Sequence, residues 1–155
     1  YSVTVFRVSS DEAVDLGCLD GRIGDNGIED VNAFSWVERI NLLGTYKGER
    51  NVGIGSEGLP EAKEDAWKII WDKNPLVLKQ ELEVIVQNED GSTENRVLPA
   101  GTELIPQETD KETYLDAETS DGTRCRIEVE TENGYSYTIH GVDEHAYFAD
   151  LPYAG

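Results

Sequence analysis

Residues 97–127 constrain the fold more than any other part of this sequence. They contain short runs rich in β-branched and apolar residues, separated by turn residues at 109–112 and at Asp121–Gly122. Short runs joined by turns are typical of small antiparallel β-barrels. The segment therefore predicts consecutive strands at 102–106, 113–119 and 124–131.

The residues on either side continue this pattern. Apolar residues alternate with polar ones at 82–86, and an Asp90–Gly91 turn leads to a returning segment at 93–98, which predicts a β-hairpin. A last strand is expected at 135–140, followed by a short helical turn at 143–150.

The first half of the chain predicts a mixture of strands and helices. Residues 3–8 are rich in β-branched and aromatic residues and predict an opening strand. Ser9 and Glu12 have the spacing of a capping box, which predicts a short helix before Gly17. Apolar residues then recur at every third position across 28–43. This segment is ambiguous, and we interpret it as a helix followed by a strand at 37–46.

The clearest helix is expected at 60–73. Pro60 suits the first turn, the acidic residues just after it complement the positive end of the helix dipole, and Pro75 prevents continuation. Trp67 and Trp71 would then share one helix face. We expect a mainly β chain, α+β overall, with a mixed α/β region at 1–78 and a small β-barrel with a helical turn at 79–155.

Charge limits the partners that this chain can have. It carries 32 acidic and 13 basic residues, a formal net charge of −19, and residues 81–155 hold 18 of the acidic residues and only four of the basic ones. Such a surface repels nucleic acids and anionic membranes, so we expect neither as a partner. The apolar runs are also too short for membrane insertion. Because the chain contains no Met and begins with Tyr1, we expect an excised domain or a mature segment.

The two cysteines and one acidic loop are the candidates for redox or metal chemistry. Cys18 and Cys125 lie far apart and form no Cys-x-x-Cys pair, which leaves two interpretations open: a disulfide in a secreted protein, or two separate buried thiols. Asp20, Asp25 and Asp30 could supply oxygen ligands to calcium. Their order is not that of an EF-hand, so we favour an ordinary polar loop and expect no cofactor.

The main candidate catalytic residues are glutamates. Glu128, Glu130 and Glu132 could provide the paired carboxylates of a glycosidase. They alternate with Ile127 and Val129, however, which predicts a solvent-facing side of one strand. Asp116 and Glu118 repeat this pattern.

Other catalytic patterns are weaker still. His140 and His145 have no partner at a metal-ligand spacing on one element. Gly53, Gly55 and Gly58 match Gly-x-Gly-x-x-Gly, but the buried strand and parallel βαβ unit of a dinucleotide site are not predicted around them. We interpret these glycines as a flexible loop.

Three tyrosines are the candidate ligand-binding residues. Tyr135 and Tyr137 lie two apart and so would share a strand face, close in sequence to Tyr147. They could form a platform for a sugar or a peptide. Packing of the C-terminal turn onto the barrel explains them equally well.

The run LPAGTEL at 98–104, a Tyr-containing strand and the Asp121–Gly122 turn resemble the bacterial SH3-like barrel of secreted and cell-envelope proteins. The resemblance covers residues 82–140. It implies a non-catalytic extracellular binding module from a Gram-positive bacterium, with a cell-wall component or a protein as partner. That family often has Gly-Trp after the turn where this chain has Arg124, Cys125 and Arg126, so the familiar aromatic groove is not expected.

Two other functions remain open at this point. One is a hydrolytic enzyme whose Asp and Glu carboxylates, such as Asp116 and Glu128, converge from separate elements. The other is a structural spacer domain of a surface protein.

Overall fold

β-Strands form nearly all of the regular structure. The computed structural model describes residues 2–71, 73–131, 134 and 136–153. Within them the elements are β1 (Ser2–Val8), β2 (Ala13–Asp20), β3 (Arg22–Ile23), β4 (Phe34–Asn41), β5 (Thr45–Ile54), β6 (Pro60–Ala62), β7 (Trp67–Trp71), β8 (Leu76–Val77), β9 (Leu82–Gln87), β10 (Thr93–Leu98), β11 (Glu103–Thr109), β12 (Tyr114–Thr119), β13 (Arg124–Glu128), β14 (Thr138–Ile139), β15 (Val142–Asp143) and α1 (Glu144–Tyr147).

One large antiparallel sheet contains most of these strands. Its order is β10-β9-β13-β12-β11-β7-β5-β4-β3, with β6 beside β5 and β8 beside β11. The hairpins β1-β2 and β14-β15 are separate two-stranded sheets. Strand β11 pairs with both β12 and β7. The hydrogen-bonded sheet therefore joins strands that come before residues 75–79 in the sequence to strands that come after them. The strand pairings of the described residues do not close into a barrel.

The mainly β class predicted from the sequence is confirmed. In the second half, β9 and β10 form the expected hairpin, and Gly91 in its turn has a φ of +82° that favours glycine. Strands β11, β12 and β13 lie close to their predicted positions, and α1 falls within the predicted helical turn. The strand expected at 135–140 is represented by β14, and Tyr135 lies outside the described residues.

The short helix predicted after Ser9 is wrong. The Ser9 N–H donates to the Glu12 carbonyl at 2.8 Å, so the capping-box pair closes the turn between β1 and β2 instead. The helix predicted to begin near residue 28 is also wrong. Strand β4 buries Phe34, Trp36 and Ile40, a period of two that coexists with the period of three in the sequence.

The helix predicted at 60–73 is replaced by β6 and β7. Strand β7 lies between β5 and β11, where its β-branched isoleucines favour an extended backbone. Trp67 and Ile69 are buried, whereas Lys68 between them is exposed. Trp67 and Trp71 do not share a face: the first is 2% exposed and the second 59%.

The core is one cluster of buried side chains drawn from both halves of the chain. It extends from Phe34 on β4 through Trp67 on β7 and Leu115 on β12 to Phe148 after α1. The large sheet therefore packs its inner face on this core and presents its outer face to solvent.

Among the described residues, no helix has the length and apolar character that crossing a membrane requires.

Candidate functional site

The tyrosines proposed as a ligand platform are packed into the core. Tyr137 is 3% exposed and Tyr147 is 9% exposed. The Tyr137 hydroxyl donates to the Asn41 carbonyl at 2.7 Å, which ties the C-terminal segment to the end of β4. Tyr135 lies outside the described residues. The two described tyrosines thus have the packing role that the sequence left open.

The three candidate calcium ligands have separate surroundings. Asp25 accepts a hydrogen bond from Arg22 at 2.7 Å, and Asp30 accepts from the backbone N–H and side-chain amide of Asn32 at 2.8 and 3.0 Å. Asp20 ends β2. In the part of the chain that the structure describes, no group of three or more His, Cys, Asp and Glu side chains is arranged to hold a metal ion.

The two cysteines are both free thiols in this structure. Cys18 is exposed on the β1-β2 hairpin, whereas Cys125 is buried in β13. Burial raises the pKa of the Cys125 thiol to about 11. Cys125 therefore has the packing role of a small core residue.

The glutamates at the end of β13 and just after it face solvent, as predicted. Glu128 and Glu130 are exposed, while Ile127 and Val129 beside them are buried. Glu132 lies outside the described residues.

Asp116 is held by an arginine on the neighbouring strand. Arg126 donates two hydrogen bonds of 2.7 Å to its carboxylate, from Nε and from an Nη nitrogen. The guanidinium also lies 3.6 Å from the ring centroid of Tyr114. A bidentate ion pair of this kind stabilises the ionised carboxylate and occupies both of its oxygens. The two histidines have other hydrogen-bond contacts: His140 Nε2 contacts the Glu83 carbonyl at 3.1 Å, and His145 Nδ1 contacts Asp143 at 3.1 Å.

The three spaced glycines belong to an antiparallel hairpin. Gly53 lies in β5, and the Gly58 N–H donates to the Gly55 carbonyl at 3.0 Å in the turn before β6. Strands β5 and β6 run antiparallel. A dinucleotide site needs a parallel strand–helix–strand unit instead.

A basic cavity lies at the end of the large sheet that β3 and β4 form. Its volume is about 590 Å³, and its lining contains four basic residues, Arg22, Arg39, Lys47 and Lys111, and two acidic ones, Asp20 and Glu38. Four of the 13 basic residues of a chain with a net charge of −19 thus meet at one cavity. We use the name basic cavity for this set of six residues.

The cavity opens where the chain before β3 separates from β4. Arg22 pairs with Val37, but the bridges between the two strands do not extend to Gly21 and Asp20. Gly21 has a φ of +120°, and a Cβ there would lie 2.5 Å from Nε1 of Trp36. Only glycine fits this backbone and this close approach. Gly21 therefore allows the chain to turn away beside Trp36 and leave the cavity open.

Glu38 and Lys111 form the inner wall of the basic cavity. Lys111 Nζ donates to Glu38 Oε2 at 2.5 Å, and Trp36 Nε1 donates to Glu38 Oε1 at 3.0 Å. The Lys111 ammonium also lies 4.9 Å from the ring centroid of Trp67, within range of a cation–π interaction. This wall joins the cavity to the buried core.

A tightly bonded turn presents Lys111 to the cavity. Asp110 Oδ1 accepts from the backbone N–H groups of Glu112, Thr113 and Tyr114 at 2.9, 2.8 and 3.2 Å. Burial by itself would raise the pKa of Asp110, but these bonds and one from the Thr113 hydroxyl outweigh it, and the pKa is lowered. Lys111 has a φ of +79°, which is unfavourable for a residue with a Cβ.

This backbone strain predicts a difference between two substitutions. Lys111→Ala and Lys111→Gly both remove the ammonium, but only glycine relieves the left-handed conformation. We expect the glycine variant to exceed the alanine variant in free energy of unfolding by about 1 kcal/mol. Urea denaturation of both proteins measures this. Equal stabilities, or a less stable glycine variant, would contradict a left-handed Lys111.

The charge of the basic cavity distinguishes it from another cavity in the same sheet. That cavity, of about 680 Å³, lies by the turns of the C-terminal half and is lined by Arg96 and Arg124 together with Glu89 and Glu118. Its two basic residues are matched by two acidic ones. The basic cavity has four basic residues and only two acidic ones, so it is the better receptor for an anionic group.

The basic cavity could not be recognised from sequence spacing. Its four basic residues come from β3, β4, β5 and the turn before β12, which the sequence separates by up to 89 positions between Arg22 and Lys111. The only available signal was that nine of the 13 basic residues lie within residues 1–80.

Comparison of the chain with protein-family models, with characterised proteins and with solved structures gives no match.

Proposed function

We propose that this chain is a non-catalytic extracellular binding module of a bacterial secreted or surface protein, and that its basic cavity holds an anionic group of the ligand. The observation that carries the proposal is the concentration of Arg22, Arg39, Lys47 and Lys111 around one cavity of a strongly acidic chain. Arg39 and Lys47 are exposed and directly opposite each other on β4 and β5. Directly opposite residues on neighbouring strands lie close together, so both cations can contact the same anionic group.

The SH3-like assignment of residues 82–140 and the extracellular location are parts of this proposal. Strands β9 to β13 support it, because they are neighbours in one antiparallel sheet in which the last, β13, lies beside the first, β9. The run at 98–104 leads from the end of β10 into β11, and the turn at 121–122 joins β12 to β13, in the order that the family pattern has them. Lys111, in the turn before β12, is the one of these six cavity residues that lies within residues 82–140.

A binding panel tests the proposed function. Isothermal titration with solubilised cell-wall fragments, acidic and neutral glycans and acidic peptides should find an anionic ligand, with no turnover in parallel assays of generic hydrolase substrates. The double variant Arg39→Glu with Lys47→Glu should reduce binding at least about 100-fold, because it replaces two attractive charges with repulsive ones. Binding should also weaken as salt is raised.

Lys63 supplies a matched control, since it is an exposed lysine that does not line the cavity. Lys63→Glu changes the net charge by the same amount per residue and should leave binding within about twofold. Equal losses in both proteins would mean that net charge and not the cavity governs binding. Turnover that depends on Asp116 or Glu128 would replace the proposal by the hydrolytic alternative, and no binding to any component would favour a spacer.

A further inference from the structure

An exposed tryptophan lies beside the two exposed cations of the basic cavity. Arg39 on β4 pairs with Lys47 on β5, and Lys47 pairs with Trp71 on β7. All three side chains are exposed, and Trp71 exposes 59% of its surface. Directly opposite residues on neighbouring strands have side chains about 5 Å apart. Arg39, Lys47 and Trp71 therefore form one row across the outer face of the sheet, which we name the outer row.

A β-bulge places Trp71 in this row. Lys47 pairs with Trp71 and Gly48 with Ile69, so the register passes over Ile70. In a regular strand of the same length without the bulge, alternation would put Trp71 on the same face as Trp67 and Ile69, which are buried. Bulges commonly re-aim a side chain next to a functional site. The bulge here brings a large apolar ring to the surface, where most of its area faces water.

The outer row combines two chemistries at adjacent positions. Lys47 Nζ lies 5.9 Å from the Trp71 ring centroid, at the outer range of a cation–π interaction, so the charge and the ring are close enough to meet the same ligand. An indole offers a flat apolar surface on which the C–H face of a sugar can stack, while its burial releases water. The ammonium and guanidinium beside it can pair with a carboxylate on that sugar.

We propose that the ligand is an acidic saccharide, with a sugar ring stacked on Trp71 and the carboxylate of that sugar paired with Lys47 and Arg39. This inference rests on the proposed function and specifies its ligand. A peptide of Asp and Glu would use the cations but has no ring to cover the indole. A nucleic acid offers flat bases, but its dense phosphates meet the acidic surface of residues 81–155. A saccharide with one carboxylate per ring carries far fewer charges per unit length.

Three probes separate these chemistries. Hexagalacturonate has both the ring and the carboxylate, its methyl ester keeps the ring without the charge, and hexaglutamate keeps the charge without the ring. We expect hexagalacturonate to bind at least about tenfold more tightly than either of the others, because only it satisfies both parts of the outer row. Isothermal titration at low and physiological salt measures the three affinities.

Variants then test each part of the row. Trp71→Ala should weaken hexagalacturonate binding about tenfold, and Trp71→Phe, which keeps a smaller ring, should restore part of it. Lys47→Ala should weaken hexagalacturonate but leave the weak binding of the methyl ester unchanged. Phe6→Ala and Lys63→Ala are matched controls, since Phe6 is exposed at 55% and both side chains lie outside the outer row. Neither control should change the affinity by more than about twofold.

Fluorescence gives an independent readout of contact with the indole. Trp36 and Trp67 are buried, so acrylamide should quench mainly Trp71. Hexagalacturonate should protect that fluorescence, and the protection should vanish in Trp71→Ala, whose remaining tryptophans are buried.

Two results would overturn the inference while leaving the proposed function intact. One is hexaglutamate binding as tightly as hexagalacturonate and lost in the Arg39→Glu, Lys47→Glu variant. The other is hexagalacturonate binding that Trp71→Ala leaves unchanged. If the wild-type chain binds none of the three probes, the saccharide inference also fails, and the wider panel alone then decides the proposed function.

Discussion

Replacing Trp67 by alanine is expected to lower the free energy of unfolding by about 3–5 kcal/mol. Trp67 is 2% exposed, at the centre of the large sheet between β5 and β11. Removing its indole deletes the largest fully buried side chain of the core and leaves a cavity that the surrounding strands can fill only in part.

The polar neighbours of Trp67 add to this cost. The guanidinium of Arg50 lies 4.2 Å from the ring centroid, and Lys111 Nζ lies 4.9 Å from it. Arg50 Nε is buried without a hydrogen-bond partner among the described residues, and the indole face is a favourable contact for the guanidinium. In the variant that guanidinium would face a cavity instead of a π-surface.

Trp71→Ala is the matched control for this prediction, because it removes the same side chain from the same strand. Its indole is exposed, so the loss should be no more than about 1 kcal/mol. Urea denaturation of the three proteins measures both effects. Similar losses in the two variants would contradict the opposite placement of the two tryptophans.

Replacing Glu144 by glutamine is expected to make the stability of the chain depend less on pH. Glu144 is 1% exposed at the start of α1, and the Tyr153 hydroxyl contacts its two oxygens at 2.9 and 3.1 Å. Burial raises the pKa of this carboxyl, and the hydrogen bond from Tyr153 offsets only part of that rise.

The sign of the effect follows from linkage. Because the folded-state pKa lies above the unfolded-state value, the folded chain binds the proton more tightly. Stability therefore falls as the pH rises from the ordinary glutamate pKa to the folded-state pKa, and the loss remains at higher pH. Glutamine has no proton to lose. The Glu144→Gln variant should gain stability relative to the wild type across that window, at no more than about 1.4 kcal/mol per pH unit.

Urea denaturation at a series of pH values from 3 to 8 measures this difference. Asp150→Asn is the control, since Asp150 is an exposed carboxylate a few residues away. Tyr153→Phe should act in the opposite direction at neutral pH, because it leaves a buried carboxylate without its donor, at a cost of about 1–3 kcal/mol. A Gln variant that loses stability relative to the wild type as the pH rises would contradict a raised pKa for Glu144.

The second half of the fold could be predicted because its local signals agree. In β9 and β13 the alternation of polar and apolar residues and the adjoining Asp–Gly turns indicate the same strands, and the Asp–Gly turn after β9 also indicates the returning strand β10. In β4 a period of three competed with a period of two, and in β7 the pair Trp67 and Trp71 matched a helix face as well as a strand. Tertiary pairing with β5 decided both cases.

The candidate site was beyond sequence analysis for a related reason. The outer row exists only because of the registers of β4 with β5 and of β5 with β7, and no local pattern encodes a register between strands. Tyr137 and Tyr147, which the sequence analysis singled out as ligand-binding candidates, have rings that are apolar enough to pack in the core, and both are buried there. Alternation did correctly assign Glu128 and Glu130 to the surface, since that depends on one strand alone.

The bulge in β7 makes the position of Trp71 sensitive to length more than to composition. Any single substitution at Ile70 keeps the residue count between Trp67 and Trp71, and so leaves one indole inside and the other outside. Removing Ile70 would restore simple alternation opposite Gly48 and Lys47, with Trp71 still opposite Lys47 on the outer face. A strand of the present length without the bulge would instead turn Trp71 towards the core side, so the exposed ring depends on the residue count and the register with β5, and not on which side chain occupies position 70.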